Sequence, residues 1–239
     1  MSRSPIALVV GAGPGLGLSI ARRFGRAGLG VVLVSRSAER HPRYLAELAA
    51  DGVTAHAYPA DVTDPASFGA ALDAARGHGD VELLYYGPAP SHLPIPLTAT
   101  DGAVARTAFD WVWPAADAVA AVLPGMRERG SGALLFAGGL SSVRPMPMLG
   151  QLALPAAAIR NYALTLHAAL AGDGVYAGTL TIGGVVERGD IHTMVAADPG
   201  TFGPLAGHTL DPDELAETAW RMTRERDRAE AVFDVFSAA

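Results

Sequence analysis

The sequence predicts an α/β domain of the doubly wound kind, in which helices cover both faces of a mostly parallel sheet. Short apolar runs rich in β-branched residues alternate with alanine-rich stretches of helical spacing. The short runs are apolar throughout, as expected for strands that are buried on both faces. No linker or low-complexity segment divides the 239 residues. We therefore expect one domain, residues 1–239, built on a seven-stranded sheet.

The elements follow in regular order. In the first half, strands are predicted at 6–10, 30–34, 53–58 and 81–86, with helices at 18–25, 44–50 and 66–76. In the second half, a long helix is predicted at 103–126 with Pro114 inside it, and another at 151–171 with Pro155 in its first turns. Strands at 132–137, 175–182 and 230–236 and a helix at 211–224 complete the pattern.

Two segments are predicted to be functional loops. Residues 87–100 carry four prolines directly after the fourth strand. Residues 187–210 form a long insertion after the sixth strand. Long loops in compact domains often serve as lids or binding loops, so we expect a lid-like insertion at 187–210. The alternative is a mobile surface segment.

The composition excludes several kinds of chemistry. The chain has no cysteine, which removes disulfides, thiolate metal sites and cysteine nucleophiles. All 18 basic residues are arginine, so Schiff-base lysines are excluded as well. The seven histidines show no pair at helical ligand spacing, and we expect no metal site. A net charge of -6 without basic runs argues against nucleic-acid binding.

The sequence also bears on localisation. No uninterrupted apolar run approaches the length of about 18 residues that a membrane-spanning helix requires. The first ten residues are too short an apolar run for the core of a signal peptide. We therefore expect a cytoplasmic protein that has no membrane partner.

A glycine-rich turn joins the first strand to the first helix. It contains Gly11, Gly13, Gly15, Leu16 and Gly17. Glycines allow a close approach of the backbone to a pyrophosphate, and the N-terminus of the following helix supplies N–H groups and a positive dipole. The spacing of Gly11, Gly15 and Gly17 departs from the G-x-G-x-x-G form of most dinucleotide folds. The alternative is a tight turn that only packs the helix closely.

At this turn the chain resembles the short-chain dehydrogenase/reductase family. Gly11, Gly15 and Gly17 stand where that family places its cofactor glycines, and Asp61-Val62 stands where it contacts adenine. The resemblance extends over essentially the whole chain and implies a Rossmann-like fold, a nicotinamide cofactor and a small-molecule substrate. The predicted cofactor-binding residues are Gly11, Gly13, Gly15, Leu16, Gly17, Ser35, Arg36, Asp61, Val62 and Gly87.

The residues after the second strand favour NADP(H) over NAD(H). A carboxylate at this point would hydrogen-bond the ribose hydroxyls of NAD. The tip instead reads Val34-Ser35-Arg36-Ser37 and contains no acid. The planar guanidinium of Arg36 suits a 2′-phosphate, and the two serines are additional hydrogen-bond partners. The alternative is a solvated arginine on a turn.

The catalytic residues that the resemblance implies are replaced. The family's reductases use a tyrosine as proton donor, a lysine that lowers its pKa, a serine that holds the substrate oxygen and an asparagine that anchors a water relay. The serine position falls on Gly139, the tyrosine on Leu152 and the lysine on Ala156, while the asparagine maps near Trp111. Lysine is missing from the whole chain, and its single asparagine, Asn161, lies on another element.

We therefore predict a divergent NADP(H)-binding oxidoreductase. Its substrate would carry an iminium-like or otherwise activated carbon, which needs only a hydride. Polar groups expected near the pocket are those of Tyr86, His92, Asp110, Ser141 and Ser142, of which all except His92 are candidate catalytic residues. Each also has a plainer interpretation as a core tyrosine, a turn serine or a solvent-facing side chain. The substrate pocket is predicted to contain Trp111, Gly139, Leu152 and His192.

Two other functions remain open. The first is a non-redox cyclase or isomerase, in which Trp111, Trp113, Leu152 and the methionines at 146 and 148 form an apolar pocket. The second is a cofactor-binding pseudoenzyme. In the family the helices corresponding to 103–126 and 151–171 pack against symmetry mates, which implies a homodimer or homotetramer.

Overall fold

Seven strands form one parallel sheet in the order β3-β2-β1-β4-β5-β6-β9. The computed structural model describes residues 3–88 and 94–236, the side chains of 203 and 204 excepted. Two short strands, β7 and β8, pair separately, also in parallel. The strands are β1 (Pro5–Val10), β2 (Gly30–Ser35), β3 (Ala55–Pro59), β4 (Asp80–Tyr86), β5 (Gly132–Gly139), β6 (Val175–Gly183), β7 (Val185–Val186), β8 (Thr209–Leu210) and β9 (Glu230–Asp234).

Helices cover both faces of the sheet. They are α1 (Leu16–Arg26), α2 (His41–Ala50), α3 (Pro65–His78), α4 (Gly102–Ala108), α5 (Trp113–Arg129), α6 (Ala153–Ala169), α7 (Asp190–Ala197), α8 (Pro199–Ala206) and α9 (Pro212–Glu225). The predicted doubly wound, Rossmann-like α/β fold with a seven-stranded sheet is confirmed, and the sheet is entirely parallel.

The sheet divides the core into two apolar layers. Strand β1 shows the division, because Leu8 and Val10 pack towards α3, α5 and α6, whereas Ala7 and Val9 pack towards α1, α2 and α9. These side chains are fully buried. A strand covered on both faces needs apolar residues at every position, which explains the unbroken apolar runs in the sequence.

The prediction of one long helix at 103–126 is wrong. Helix α4 ends at Ala108 and α5 begins at Trp113, so Pro114 lies in the first turn of α5. Inside a helix a proline would remove a hydrogen bond and clash with the preceding turn, whereas the first turn tolerates it. Similarly, the helix predicted from 151 starts at Ala153, after a 3₁₀ segment (Pro147–Leu152) that contains Gly150 with φ of 49°.

The insertion at 187–210 is not an irregular loop. It contains α7 and α8, and its end, β8, pairs with β7. Apolar side chains at helical spacing, such as Ile191 and Val195, account for α7, in which Val195 is buried. The lid function stays a prediction. In the other predicted loop, residues 89–93 lie outside the described part, and Leu97–Ala99 forms a 3₁₀ turn.

Over residues 3–88 and 94–236, no helix combines the length and the hydropathy that crossing a membrane would require.

A bidentate ion pair ties the edge strand β9 to helix α6, and we expect it to make stability depend on pH. Arg160 donates from Nε to Oε1 of Glu230 at 2.7 Å and from Nη2 to Oε2 at 2.5 Å. The hydrogen bonds from Arg160 hold the pKa of Glu230 below its usual range, helped by Thr181 and opposed by partial burial. A carboxyl with a depressed pKa stabilises the fold above its unfolded pKa, and the effect is lost as pH falls through the folded pKa.

The variant Glu230→Gln is therefore expected to be less stable than wild type at pH 7, with a difference that shrinks towards pH 3. Urea unfolding at several pH values measures it. The control Glu128→Gln alters an exposed carboxylate on α5 and should track wild type throughout. A constant difference between wild type and Glu230→Gln across this range would contradict the assignment.

Candidate functional site

The carboxyl ends of β1 and β4 form the centre of the candidate site. The strand order runs outward in opposite directions from these two neighbouring strands. In open parallel sheets, the crevice at such a switch point is where ligands bind. Two cavities open at this edge, and both are lined by residues of the glycine-rich turn and by Gly87 at the end of β4.

The glycine-rich turn touches the end of β4 through backbone atoms. Gly11 has φ of 90°, and a Cβ there would lie 2.5 Å from the carbonyl carbon of Gly87. A Cβ on Gly17 would lie 2.7 Å from the carbonyl oxygen of Gly11. These two positions therefore require glycine for close packing. At Gly13, by contrast, a Cβ would meet nothing within 4 Å, because the residue faces open space in the cavities.

Helix α1 begins directly after this turn with free N–H groups. Its N-cap residue is Gly15, and no side chain caps it. The first N–H groups of a helix have no partner within the helix, and the helix dipole favours an anion there. Together with the open space at Gly13, this arrangement suits a phosphate group.

The first cavity, of about 480 Å³, is called the arginine cavity here. Ser35 in its wall shares a hydrogen bond of 2.8 Å with His41 Nε2, and Arg36 beside it is exposed. Asp61 accepts from the backbone N–H and the hydroxyl of Thr63, and these bonds hold the pKa of Asp61 below its usual range. The lining residues are Gly11, Ala12, Gly13, Val34, Ser35, Arg36, Ser37, Glu39, Arg40, Tyr44, Ala60, Asp61, Val62, Thr63, Gly87, Pro88, Thr107, Asp110, Trp111 and Asp190.

An ion pair crosses the arginine cavity, and the sequence analysis missed it. Arg40 Nη1 donates to both carboxylate oxygens of Asp190 at 2.8 Å, and this contact raises the pKa of Arg40. Asp190 is the first residue of α7 and lines both cavities. The pair joins the turn after β2 to the insertion, across 150 residues of chain. No local sequence signal connects two residues so far apart.

The second cavity, of about 420 Å³, is called the apolar cavity here because hydrophobic side chains dominate its wall. Gly139, Leu152 and Ala156, to which the family resemblance assigned serine, tyrosine and lysine, all line it. A Cβ on Gly139 would lie 3.5 Å from Ser141 Oγ, which places this hydroxyl beside the expected serine position. The larger apolar side chains in the wall are Leu16, Trp111, Leu140, Met146, Met148, Leu149, Leu152, Ile182, Val185, Val186, Ile191, Leu205 and Phe236.

Tyr86, a candidate catalytic residue, lies in the core. Its side chain is 1% exposed and lines neither cavity. The hydroxyl donates a hydrogen bond of 2.6 Å to the carbonyl oxygen of Trp111. Burial further raises the pKa of Tyr86, so the group is held as a neutral structural donor. The sequence could not reveal this, because an apolar strand buried on both faces does not show which side each tyrosine takes.

The other candidates are divided between the cavities and the core. Asp110 lines the arginine cavity, Ser141 lines the apolar cavity and Trp111 lines both. Ser142 Oγ is buried without a hydrogen bond and faces neither cavity. His192 lies on α7 outside the linings. His92 lies outside the described residues.

The tyrosine that does reach the apolar cavity is Tyr85, which the sequence analysis did not select as a site residue. It is 2% exposed and precedes Tyr86 on β4. Within the described ranges, no group of three or more acidic or histidine side chains is arranged to hold a metal ion.

Comparison with known proteins identifies the family. The family model for short chain dehydrogenases matches residues 5–192. This chain belongs to the short-chain dehydrogenase family.

Individual relatives agree with this assignment. The chain is 44% identical over 64 residues to 1-deoxy-11-beta-hydroxypentalenate dehydrogenase of Streptomyces arenae, a match covering 27% of this chain and 23% of that protein. A 3-oxoacyl (acyl-carrier-protein) reductase of Agrobacterium tumefaciens C58, solved with NADP bound, shares the fold with a TM-score of 0.85 and 23% identity. The match covers 97% of this chain and 93% of that one.

A third relative has an unusual active site. The short-chain oxidoreductase of Pseudomonas aeruginosa PAO1, solved with NADPH, contains an atypical catalytic centre. It shares the fold of this chain with a TM-score of 0.82 and 21% identity, over 96% of this chain and 94% of that one.

The contrast between Gly11 and Gly13 gives a test of the turn. Gly11→Ala places a Cβ at positive φ against Gly87, so we expect a loss of at least about 2 kcal/mol in unfolding free energy. Gly13→Ala meets no neighbouring atom, so stability should change by less than about 0.5 kcal/mol. Urea unfolding measures both. Equal losses in the two variants would contradict the arrangement of the turn.

Proposed function

We propose that this chain is an NADP(H)-dependent oxidoreductase whose substrate requires no proton donor from the protein. The observation that carries the proposal is the wall of the apolar cavity, which Gly139, Leu152 and Ala156 line. The family resemblance assigns the serine, tyrosine and lysine positions to these three residues. The glycine-rich turn lines the same cavity. None of these three side chains can donate a proton.

The residues of the crevice fit a dinucleotide. The open space at Gly13 and the uncapped N-terminus of α1 suit the pyrophosphate. Asp61 and Val62 in the wall of the arginine cavity are the residues proposed to meet adenine. Leu16 and the glycines after β6 extend the same surface into the apolar cavity.

The proposed preference for NADP(H) rests on Arg36. It lines the arginine cavity together with Arg40, which Asp190 holds in an ion pair, and with the acids Glu39, Asp61 and Asp110. Arg36 is exposed and has no ion pair among the described residues, so its guanidinium is available to a 2′-phosphate. Two structural relatives were solved with NADP or NADPH, which agrees with this choice.

The proposed substrate follows from the missing acid. A bound NADPH supplies a hydride to an electrophilic carbon. Reduction of a ketone also requires a proton at the developing alkoxide, whereas an iminium carbon needs the hydride alone. Asp190 is the charged side chain in the lining of the apolar cavity, and its carboxylate is already paired with Arg40. Apolar side chains such as Met146 and Met148 would enclose the rest of the substrate.

A non-redox catalyst is the second candidate, and the apolar wall is the observation that favours it. A cavity with a mostly apolar wall can accelerate a cyclisation by holding the reacting atoms together. A pseudoenzyme would bind the cofactor without turnover.

Self-association is also proposed. Trp113 at the start of α5 is 63% exposed, and Leu154 near the start of α6 is 37% exposed. These are the two helices that pack against symmetry mates in the family. Burial of these side chains in a homodimer or homotetramer would remove apolar surface from water.

Replacing Arg36 tests the cofactor. In Arg36→Ala we expect NADPH to bind about 10- to 100-fold more weakly, because a charge-assisted bidentate contact to the 2′-phosphate is lost. NADH binding should not change. Fluorescence titration measures both. Arg43→Ala, which alters an exposed arginine on α2 outside both cavities, is the control. An equal effect on NADPH and NADH would contradict the role of Arg36.

Turnover tests the missing acid. We expect wild type to oxidise NADPH with cyclic iminium substrates and to be inactive on ketones of similar shape. The triple variant Gly139→Ser, Leu152→Tyr and Ala156→Lys should gain ketone reduction, since it supplies the proton donor and its partners. Ala156→Lys alone is the control and should gain none.

Other outcomes decide between the alternatives. Robust ketone reduction by wild type would contradict the missing-acid argument. Conversion of a substrate without cofactor would favour the non-redox catalyst, and NADPH binding without any turnover would favour the pseudoenzyme.

A further inference from the structure

Tyr85 carries a hydroxyl that makes no hydrogen bond to the described part of the protein. The side chain is 2% exposed and packs with Val9, Leu135 and other residues on the α1 face of the sheet. It lines the apolar cavity. Within the part of the chain that the structure describes, its hydroxyl makes no hydrogen bond, and burial alone raises the pKa of Tyr85. The group is thus a neutral donor without a partner.

The ring leans along β4 towards the carboxyl edge of the sheet. A Cβ added to Gly87 would lie 2.3 Å from Tyr85 Oη, so the glycine leaves the space in which the hydroxyl sits. Gly87 in turn touches Gly11 through backbone atoms. The hydroxyl therefore lies at the switch point, next to the turn that is proposed to hold the cofactor.

Tyr176 on β6 has the same local geometry, but its hydroxyl has a hydrogen-bond partner. It packs on the same face, and its hydroxyl lies 2.3 Å from a Cβ added to Gly178. That hydroxyl donates to the carbonyl oxygen of Arg228 at 2.8 Å. Tyr85 lines the apolar cavity instead, where a bound ligand can accept the hydrogen bond that its hydroxyl offers.

We propose that the Tyr85 hydroxyl donates a hydrogen bond to the nicotinamide nucleotide half of the cofactor and so positions it. This inference rests on the proposed function. Tyr85 belongs to the layer that contains α1 and Leu16, whereas α6, which follows Leu152, packs in the opposite layer. The hydroxyl thus approaches the apolar cavity from the side of the glycine-rich turn. That side is suited to the cofactor, which makes Tyr85 a binding residue and not the missing proton donor.

Splitting the cofactor into its halves tests the role. The probes are NADPH, 2′,5′-ADP as the adenine half and reduced nicotinamide mononucleotide as the other half, with affinity measured by calorimetry. In Tyr85→Phe we expect NADPH and the mononucleotide to bind about 3- to 10-fold more weakly, the loss of one neutral hydrogen bond. Affinity for 2′,5′-ADP should stay at the wild-type value.

Stability provides the matched comparison. Tyr85→Phe removes a hydroxyl that has no partner in the described protein, so urea unfolding should show equal or higher stability. Tyr176→Phe removes the hydrogen bond to Arg228, so it should lower stability and leave all three affinities unchanged. Weaker binding without a loss of stability in Tyr85→Phe, together with a loss of stability without weaker binding in Tyr176→Phe, would show that the Tyr85 hydroxyl positions the cofactor and has no structural role.

Each contrary outcome has a distinct meaning. If wild type binds NADPH and Tyr85→Phe binds all three probes as wild type does, the role of Tyr85 is overturned. Equal weakening of 2′,5′-ADP and the mononucleotide overturns it too, because the variant then acts through the whole crevice. If wild type binds no NADPH, the proposed function fails first, and the inference fails with it.

Discussion

The backbone contact between the glycine-rich turn and the end of β4 is the constraint on which the site depends. Gly11 meets the carbonyl group of Gly87, and Gly17 meets the carbonyl oxygen of Gly11, at distances that leave no room for a side chain. Strands β1 and β4 are neighbours, and the strand order runs outward from them in opposite directions. The two elements meet here through backbone atoms, and the crevice at such a point of divergence is where a dinucleotide binds in open parallel sheets.

From this contact the site divides into two chemically different halves. The arginine cavity holds charged groups, whereas hydrophobic side chains dominate the apolar cavity. Under the proposed function, charged groups in the first half would contribute most of the free energy of cofactor binding, because ionic hydrogen bonds are about twice as strong as neutral ones. The second half would then orient the reactive carbon. The Arg40–Asp190 pair joins the two halves, because Asp190 lines both cavities and begins α7 in the insertion.

The sequence was sufficient for features that depend on local pattern, and insufficient for those that depend on distant contacts. Short runs dominated by apolar residues located the strands of the sheet, including the edge strands β3 and β9 with their polar residues, and the glycine spacing located the turn. Pro114 was misplaced because a proline is equally compatible with a helix break and with a first turn until the neighbouring element is known. Tyr85 and Tyr86 show most clearly what the sequence alone cannot predict. Both are buried, and only the packing of the two layers decides that Tyr86 bonds the carbonyl of Trp111 while Tyr85 reaches the cavity.

The proposed joint replacement of the family's serine, tyrosine and lysine is physically consistent. A tyrosine in an apolar wall without a neighbouring cation has a raised pKa, so its ionised form is strongly disfavoured. A lysine there without a partner would pay a desolvation cost that shifts its own pKa downwards. The tyrosine and the lysine therefore function in proton transfer only as a pair. A wall of Gly139, Leu152 and Ala156 contains no ionisable side chain and carries no such desolvation cost. Such a wall would lack the family's proton-donating tyrosine and its lysine partner. Under the proposed function the electrophile would be activated by its own charge, a requirement that an iminium-like substrate meets and a neutral ketone does not.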